Sequence, residues 1–482
     1  MARTSVLLFT IWLLAGLTLA QAQPHAEPPE VDPAFASTDS IAIVGGQLVD
    51  LERGAAAPNR GILVVNGRFQ VVDAELSAET LDAAQTVELD DDQYLLPGLV
   101  DLHAHYNMDL VGEGRVDETA YNPLIYLANG VTTTFPAGDD DPEPMMEMRP
   151  RIDRGEQVGP RVLNSGPYIG RSNPEWGDDM DPEAIYELVD TWAERGAQGF
   201  KAKGASPDEL EPLIRRAHQH GLTVTGHLDS GFRGTTNARE AIQMGIDRVE
   251  HILGGHALDP EQPAYPVWNE VDTTDAEFRA IAQKFIDYEV HFTPTLTAPV
   301  YFATPSETPG FDDWADEKGF FTPYVRERWA ERQDEATGSE LMDELHAAML
   351  RTTKAFYDAG GGHLITLGTD KPAWGDYLPG FGAHRELHAL VRAGIPEASA
   401  LRIGTRNGAE AIGKGELLGS VTVGKLADLV VVNGNPTDDI TNTRDVNLVM
   451  KAGQLYDPDR LLEAARGAIG PDGPDAHDAW GR

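Results

Sequence analysis

The hydrophobic and polar positions form two kinds of pattern along this chain of 482 residues. Toward both ends, short β-branched runs are separated by Gly, Asn and Pro, which is typical of strands and turns. They predict strands at residues 41–49, 61–66, 68–72, 86–89, 417–432 and 448–455. Asn66-Gly67, between two of these runs, is a strong signal for a two-residue hairpin. The terminal strands are predicted to share one small β-sandwich domain, composed of residues 41–95 and 415–456.

Between these ends, short apolar runs alternate with helical stretches, which is typical of a parallel α/β fold. The runs predict eight strands at residues 99–103, 131–135, 161–165, 199–203, 222–227, 248–251, 290–296 and 364–370. Helices are predicted in the gaps, for example at residues 182–195, 206–220 and 238–244. Eight strand-helix repeats predict a single (β/α)8 TIM barrel over residues 96–414.

Two segments depart from this repeat. Residues 298–338 are long, aromatic and acidic, and they follow the seventh predicted strand. Loops on that side of a barrel form the mouth of the active site, so this segment is either a functional lid or a helical insertion that covers the surface. Residues 457–482 contain one possible helix and then Gly, Pro and Asp, and we expect them to form a loosely held C-terminal tail.

The N-terminus has the pattern of an export signal. Arg3 precedes an uncharged apolar run, and Ala20-Gln21-Ala22 fits the small-x-small cleavage pattern. Because the run is short for a membrane-spanning helix, residues 1–22 are predicted to be a cleaved signal peptide. A linker rich in Pro, Glu and Ala follows at residues 23–40. The mature protein is expected to be periplasmic or secreted, without stable membrane association.

Charge and cysteine content narrow the choice of partners. Asp and Glu total 78 against 38 Lys and Arg, a formal net charge of -40. Such a surface repels nucleic acid and anionic membranes, and it is typical of a solvated acidic surface that salt screens. The absence of Cys excludes disulfides, thiolate nucleophiles, Cys-bound zinc and a lipid-modified Cys. We therefore expect a small-molecule partner and no nucleic acid; the sequence leaves the oligomeric state open.

Several polar side chains fall at the carboxyl ends of predicted strands, where barrel enzymes carry their catalytic groups. His103 and His105 end the first strand, and residues two apart on a strand point to the same side. The fourth, fifth, sixth and eighth strands end in Lys201, His227, His251 and Asp370. Taken singly, each has an ordinary explanation, such as a packed His, a salt-bridged Lys or a helix-capping Asp. Together they predict a site for zinc or a similar divalent ion.

Three segments of the chain resemble the amidohydrolase superfamily, and look most like its prolidase and imidazolonepropionase-like branch. These segments are Pro97-Gly98-Leu99-Val100-Asp101-Leu102-His103-Ala104-His105, Gly368-Thr369-Asp370 and Gly424-Lys425-Leu426-Ala427-Asp428-Leu429-Val430. The resemblance covers residues 41–456, and the combination of the three segments is highly specific. It implies metal ligands at His103, His105, Lys201, His227, His251 and Asp370.

The resemblance implies that His103, His105 and Asp370 bind the more buried ion, and that the other two histidines bind a second. Lys201 would be carboxylated by carbon dioxide and bridge the ions, because a carbamate has oxygen donors whereas an ammonium cannot ligate. Lys203 lies on the same strand face and is an alternative, although the family's spacing favours Lys201. Without carboxylation, the site would hold one ion. Tyr168 and Arg171, after the third strand, are weaker candidates for substrate binding.

The implied reaction is hydrolysis of an amide or peptide-type C–N bond, for example in a Xaa-Pro dipeptide or an N-acyl amino acid. A hydroxide held by the metals would attack, and Asp370 would carry its proton to the leaving amine. Deamination, or hydrolysis of a cyclic amide or lactone, is the alternative within the superfamily, because fold does not fix function. A non-catalytic binding protein is a third hypothesis, disfavoured because all six candidate ligands are intact.

Overall fold

The computed structural model describes residues 28–30, 40–110, 115–173, 176–177, 180–229, 234–254, 264–302, 314–333, 340–372 and 378–477. The predicted signal peptide and most of the linker lie outside these residues. Within the described part of the chain, no helix is both long and apolar enough to cross a membrane.

Strands and helices alternate through most of the described chain. The strands are β1 (Ser40–Asp50), β2 (Ala55–Pro58), β3 (Ile62–Val65), β4 (Arg68–Val71), β5 (Gln85–Pro97), β6 (Leu99–Ala104), β7 (Asn107–Met108), β8 (Val116–Asp117), β9 (Val131–Pro136), β10 (Arg161–Val162), β11 (Tyr168–Ile169), β12 (Gly199–Lys203), β13 (Thr223–His227), β14 (Arg248–Glu250), β15 (His291–Thr293), β16 (Leu429–Asn433), β17 (Val446–Lys451) and β18 (Gln454–Tyr456). The α-helices are α1 (Ala78–Ala83), α2 (Asn122–Ala128), α3 (Glu143–Asp153), α4 (Pro182–Glu194), α5 (Pro207–Gln219), α6 (Ala238–Met244), α7 (Ala264–Asn269), α8 (Ala276–Asp287), α9 (Pro323–Gln333), α10 (Glu340–Asp358), α11 (Phe381–Arg392), α12 (Glu397–Arg402), α13 (Gly408–Ala411), α14 (Pro458–Ala465) and α15 (Pro474–His477).

The two ends of the chain meet in one mixed sheet with the strand order β18-β17-β16-β5-β1-β3-β4, in which β2 pairs with β1. Leu95 of β5 pairs with Leu48 of β1 in parallel and with Val431 of β16 in antiparallel orientation. Apolar side chains of this sheet, such as Ile43 and Val64, form a core cluster of their own. The described residues thus show a single composite sheet, and its second layer and the domain limits stay predictions.

Parallel strands fill the middle of the chain, in sheets ordered β10-β9-β6 and β11-β12-β13-β14-β15. Of the third predicted strand, 161–165, only Arg161–Val162 is a strand, β10, and Gly166 at φ 66° and Pro167 separate it from β11. Residues 364–370 run between β15 and β6, and their carbonyls accept hydrogen bonds from Phe292 and Leu102 over 2.9 and 3.0 Å. The strands therefore follow an α/β arrangement, and closure into a complete (β/α)8 barrel stays a prediction.

The three helices predicted as examples are confirmed as α4, α5 and α6. In α5, Ser206 caps the helix, and the Glu209 carboxylate accepts a hydrogen bond from the Ser206 N–H over 2.7 Å. This capping box and Pro207 at the first helical position define where the helix begins. Its apolar face, which includes Leu210 and Leu213, is buried in the main core.

The expectation of a loosely held tail is wrong for residues 458–471. Helix α14 packs against α2, and Ile469 beyond it is fully buried. Ile469 also exchanges backbone hydrogen bonds of 3.0 Å with Phe320 and Thr322, which belong to the 298–338 segment. No local sequence pattern indicated these contacts, because they join regions almost 150 residues apart. The tail therefore packs against, and hydrogen-bonds to, the segment that follows the seventh predicted strand.

Candidate metal centre

The carboxyl ends of the parallel strands surround a cavity of about 300 Å³. The structure brings all six predicted ligands to it: His103, His105, Lys201, His227, His251 and Asp370. A larger cavity, of about 610 Å³, lies beside Leu51 and Lys425 and contains none of them. The imidazole and carboxylate groups are thus concentrated in one place on the protein.

His103, His105 and Asp370 form a close group in the cavity. Oδ1 of Asp370 lies 3.0 Å from Nε2 of His105 and 3.4 Å from Nε2 of His103. The two imidazoles converge because alternate residues of a strand face the same side. Both histidines are buried, whereas the Asp370 side chain keeps 18% of its surface exposed. Asp370 therefore contacts both buried histidines and is also accessible to solvent.

The other two histidines adjoin this group. The ring centroids of His227 and His251 are 4.1 Å apart, and those of His103 and His251 are 4.9 Å apart. Oγ1 of Thr295 lies 2.7 Å from Nδ1 of His251 and so orients that ring. Each of the four histidine rings therefore lies next to at least one other, and Asp370 contacts His103 and His105.

Three residues at these strand ends have left-handed backbone conformations. The φ angles are 68° at His251, 48° at Thr295 and 55° at Asp370. Such conformations cost a non-glycine residue about 1–3 kcal/mol and persist where the surrounding structure enforces them, often at functional sites. Of the three, His251 and Asp370 line the cavity, whereas Thr295 is fully buried and contacts the His251 ring.

Lys201 lies deeper than the histidines. Its side chain is 1% exposed, and its ammonium pairs with the carboxylate of Glu250, which is fully buried. Glu250 also accepts a hydrogen bond from the hydroxyl of Thr225 over 2.8 Å, and its Oε2 lies 3.5 Å from Nδ1 of His103. Glu250 thus connects the lysine to the first histidine.

Sequence reasoning missed Glu250 for a physical reason. It directly precedes His251, and neighbouring residues of a regular strand face opposite sides of the sheet. The positive φ of His251 breaks that alternation, so both side chains reach the site. The only available signal was an acidic residue inside an otherwise buried strand, which is rare without a partner.

Protonation in the cavity follows from burial. Burial lowers the pKa of His103, His227 and His251 well below the usual value, and neighbouring positive groups act in the same direction. Burial, followed by the charge of Lys203, likewise lowers the pKa of Lys201. Burial raises the pKa of Asp370, but the adjacent His103 and His105 outweigh it and hold that pKa well below its usual range. Neutral imidazoles beside an ionised carboxylate are the forms that bind a cation.

Buried polar groups fix the backbone under these side chains. The Asp101 carboxylate accepts hydrogen bonds from the His103 N–H over 3.0 Å and from the Thr369 hydroxyl over 2.7 Å, and burial raises its pKa to about 6. The Tyr126 hydroxyl accepts from the His105 N–H over 3.2 Å and lies 2.9 Å from the His105 carbonyl. These contacts tie the His-x-His strand to the segment that carries Asp370.

The donor set fits a divalent ion. Two overlapping groups, His103 with Glu250 and His251, and His103 with His105 and Asp370, each have ligand atoms within 4.8 Å of one another. Nδ1 of His103 is buried without a hydrogen-bond partner in the described part of the chain. Imidazole and carboxylate at this spacing suit zinc or a related metal.

The two weaker candidates are placed differently. Tyr168 lines the cavity, and its ring lies 4.2 Å from Nζ of Lys203, which also lines the cavity. Arg171 is exposed, and its guanidinium donates to the carbonyl of Gly234. Among the described residues around the cavity, the arginine is Arg115, which sequence reasoning did not single out. Arg115 directly precedes β8, a strand of two residues that no local pattern indicated.

Known proteins resemble this chain in sequence and in fold. An uncharacterized protein of Mycobacterium tuberculosis is 30% identical over 222 residues, or 42% of this chain, which thus spans only 55% of that relative. An adenine deaminase of Bradyrhizobium is 24% identical over 221 residues, covering 42% of this chain and 36% of the deaminase. A crystal structure of a Xaa-Pro dipeptidase with bound methionine superposes with a TM-score of 0.65 and 20% identity, over 87% of this chain and 100% of the dipeptidase.

The Amidohydrolase family model matches residues 94–283 and 348–456. These ranges contain all six of the side chains that converge on the cavity, and the unmatched stretch between them contains the whole 298–338 segment. With more than half of its length matched, this chain belongs to the amidohydrolase family.

Proposed function

We propose that this protein is a metal-dependent amidohydrolase that cleaves an amide or peptide-type C–N bond. One observation carries the proposal: four histidines, a lysine and an aspartate, from four parallel strands (β6, β12, β13 and β14) and residue 370, surround a single cavity. Chance placement does not explain six metal-compatible or metal-bridging groups at one end of a sheet. Hydrolysis of amide bonds also agrees with the dipeptidase that the fold resembles.

His103, His105 and Asp370 would hold one ion, and the pair of His227 and His251 would hold a second. Lys201 would bridge them as a carbamate. Burial lowers the pKa of Lys201, which makes loss of its proton easier, and the neutral amine can then form a bond from its nitrogen to carbon dioxide and release one proton. When bound, divalent zinc or a similar ion supplies Lewis acidity and lowers the pKa of water to about 7.

Asp370 would move the proton during catalysis. Among the described residues that line the cavity, Asp370 is the single acidic residue. Glu250 is fully buried and paired with Lys201, so it does not line the cavity. The exposed oxygen of Asp370 can accept a proton from the attacking water and donate it to the nitrogen that leaves. The contacts with His103 and His105 keep this carboxylate ionised and fixed in position.

Deamination is the second candidate, because an adenine deaminase matches part of the chain. Lys201 separates the two functions, since a bridging lysine serves a two-metal hydrolase and has no evident purpose in a one-metal deaminase. A neutral heterocycle would also gain little from the positive groups Lys203 and Arg115 at the cavity. We therefore place amide hydrolysis first.

Metal content and product analysis test the proposal together. Elemental mass spectrometry of the purified protein should find about two divalent ions per chain, falling in Lys201→Ala. Lys203→Ala, two residues away on the same strand, is the matched control and should keep the wild-type metal content. The wild-type protein should release amino acids from dipeptides or N-acyl amino acids. One ion unaffected by Lys201→Ala, with ammonia released from purine bases, would overturn the proposal in favour of a deaminase.

Three further features belong to this proposal. The hydrogen bonds on both sides of residues 364–370 support a closed (β/α)8 barrel. Imidazole-rich ligation supports zinc as the native metal. Residues 1–22 have the pattern of a signal peptide, so we propose that the mature enzyme acts on small molecules in the periplasm or outside the cell.

A further inference from the structure

A second group of oxygen-bearing side chains meets where β7 and β8 form a two-stranded sheet. Asn107 and Asp117 are direct partners across these antiparallel strands, so their side chains leave the same face with Cβ atoms about 4.5–5.5 Å apart. Asp139, which follows β9, adjoins them, because the Asn107 amide donates to both of its carboxylate oxygens over 3.1 Å. None of the three is among the described residues that line the metal cavity. They form a polar cluster separate from the histidines.

The two carboxyl groups of this cluster are buried without a compensating positive side chain. Asp117 and Asp139 are 9% and 8% exposed, and within the described residues neither has an ion-pair partner. Burial, followed by the charge of Asp139, raises the pKa of Asp117 well above its usual range, and burial raises the pKa of Asp139 to about 6. Two ionised carboxylates in contact repel each other. The pair therefore needs either a shared proton or a bound cation.

The Asn107 amide separates these two possibilities. Its side chain is 5% exposed, and its Oδ1, like Oδ1 of Asp117, is buried without a hydrogen-bond partner in the described part of the chain. Since Nδ2 of the same amide contacts Asp139, a half-turn of the amide exchanges its two ends and directs the oxygen at the carboxylate. A shared proton leaves that oxygen without a partner, whereas a cation accepts it as a ligand. The buried oxygens thus favour a cation.

We infer that Asp117, Asp139 and Asn107 bind a calcium ion. The donors are two carboxylates and an amide carbonyl, and an all-oxygen set suits a hard cation. Calcium takes about six to eight oxygen ligands in variable geometry, so water can supply the remainder, whereas magnesium demands a near-ideal octahedron. Exposed Asp140 and Asp141 follow in the chain and add negative charge. The site is distinct from the histidine cavity and does not depend on the proposed reaction.

The ion would join two segments that carry residues of the cavity wall. Arg115, which lines the metal cavity, directly precedes β8 and lies two residues before Asp117. On the other side, the Asp139 carbonyl accepts a hydrogen bond from the N–H of Tyr168, which also lines that cavity, over 3.1 Å. A calcium ion between β8 and the segment after β9 would therefore hold both parts of the wall together.

Calcium titration of the full-length, zinc-loaded protein tests this inference. Choline chloride keeps the ionic strength constant, because general screening also stabilises a protein with a net charge of -40. Calorimetry should find a single calcium site per chain with a Kd of about 10⁻⁴–10⁻³ M, the range of extracellular calcium modules. The melting temperature should rise as this site fills. Elemental mass spectrometry should find the zinc content unchanged.

Two substitutions remove one ligand charge each with little change of shape. Asp117→Asn and Asp139→Asn should each weaken calcium binding about tenfold or more and remove the calcium-dependent rise in melting temperature. Asp91→Asn is the matched control, because it removes the same charge from Asp90-Asp91-Asp92, an exposed acidic run in β5. It should keep the calcium response of the wild type.

The alternatives give different results. A proton shared between the carboxyl groups predicts that calcium neither binds to the wild type nor stabilises it, which would overturn the inference. An equal response in Asp117→Asn, Asp139→Asn and Asp91→Asn, or displacement of zinc by calcium, would overturn it as well. Circular dichroism identifies a variant that fails to fold, and the other aspartate variant and the wild-type titration then decide.

Discussion

Lys201 on β12 and Glu250 on β14 form an ion pair across the intervening strand, with side chains only 1% and 0% exposed. Removing one partner of a buried pair leaves the other charge uncompensated, which costs about 3–5 kcal/mol. We therefore expect Glu250→Gln to lower the free energy of unfolding of the metal-free protein by about that amount. Urea unfolding measures the change.

A double-mutant cycle isolates the pair from other effects of the substitutions. Lys201→Met/Glu250→Gln should be more stable than Glu250→Gln, because no charge is left buried. Thr225→Val is the matched control: it removes the hydroxyl on the other Glu250 oxygen, 2.8 Å away, and leaves the ion pair, so it should cost only about 1–3 kcal/mol. Strictly additive losses in the two single variants would contradict the pairing.

Thr295 is expected to tune metal affinity through His251. Its hydroxyl lies 2.7 Å from Nδ1 of that histidine, and loss of such an outer partner lowers metal affinity about 10–100-fold. Thr295→Val removes the hydroxyl and keeps a β-branched side chain at the strained φ of 48°. Zinc affinity should fall by about 10–100-fold in competition with a chromogenic chelator.

The control for this substitution is Thr352→Val. It removes another buried hydroxyl, which donates to the Ala348 carbonyl over 2.8 Å within α10. Zinc affinity should stay at the wild-type value in that variant. A similar loss in both variants would show that Thr295 acts through general stability and not through the orientation of His251.

His384 makes stability depend on pH. Burial, reinforced by nearby arginines, lowers the pKa of this histidine from 6.5 to about 3. Below pH 6.5 the unfolded chain binds a proton that the folded protein excludes, so the stability contributed by the neutral ring is complete above pH 6.5 and is lost as the pH falls toward 3. By pH 5 the loss amounts to about 2 kcal/mol, at 1.36 kcal/mol per unit.

His384→Phe replaces the ring with one that cannot be protonated. Between pH 7 and pH 5, its free energy of unfolding should fall by about 2 kcal/mol less than that of the wild type. Urea unfolding of the metal-free proteins measures this difference without competition between protons and metal. Both proteins should change alike between pH 7 and pH 8. The same acid dependence in both would contradict the expected role of His384.

The sequence predicted those parts of the site that depend on strand periodicity. His103 and His105 both line the cavity, as their spacing of two residues predicts, and Lys201, His227 and Asp370 line it from the predicted strands that carry them. Features that depend on backbone irregularity were not foreseen. Glu250 reaches the site only because of the unusual φ of His251, a property that residue identity does not reveal.

Loops and long-range contacts explain the remaining differences. Arg171 follows the third predicted strand at the expected place, but the loop turns its guanidinium outward to Gly234, while Arg115 enters the cavity from another loop. Loop conformation is decided by tertiary contacts more than by local sequence. The packed tail is a similar case. The composition near Ile469 indicates turns, and the residues against which Ile469 packs, such as Phe320 and Phe321, lie far away in the sequence.

The last prediction concerns that tail. Ile469 is fully buried in a core cluster that also contains Phe320 and Phe321 of the 298–338 segment. Ile469→Ala should lower the free energy of unfolding by about 2–5 kcal/mol, because it removes packed methyl groups and leaves a cavity. Leu417→Ala, at a position 40% exposed, is the matched control and should change stability by no more than about 0.5 kcal/mol. Urea unfolding compares the two, and equal, small losses would mean that the tail contributes no packing energy.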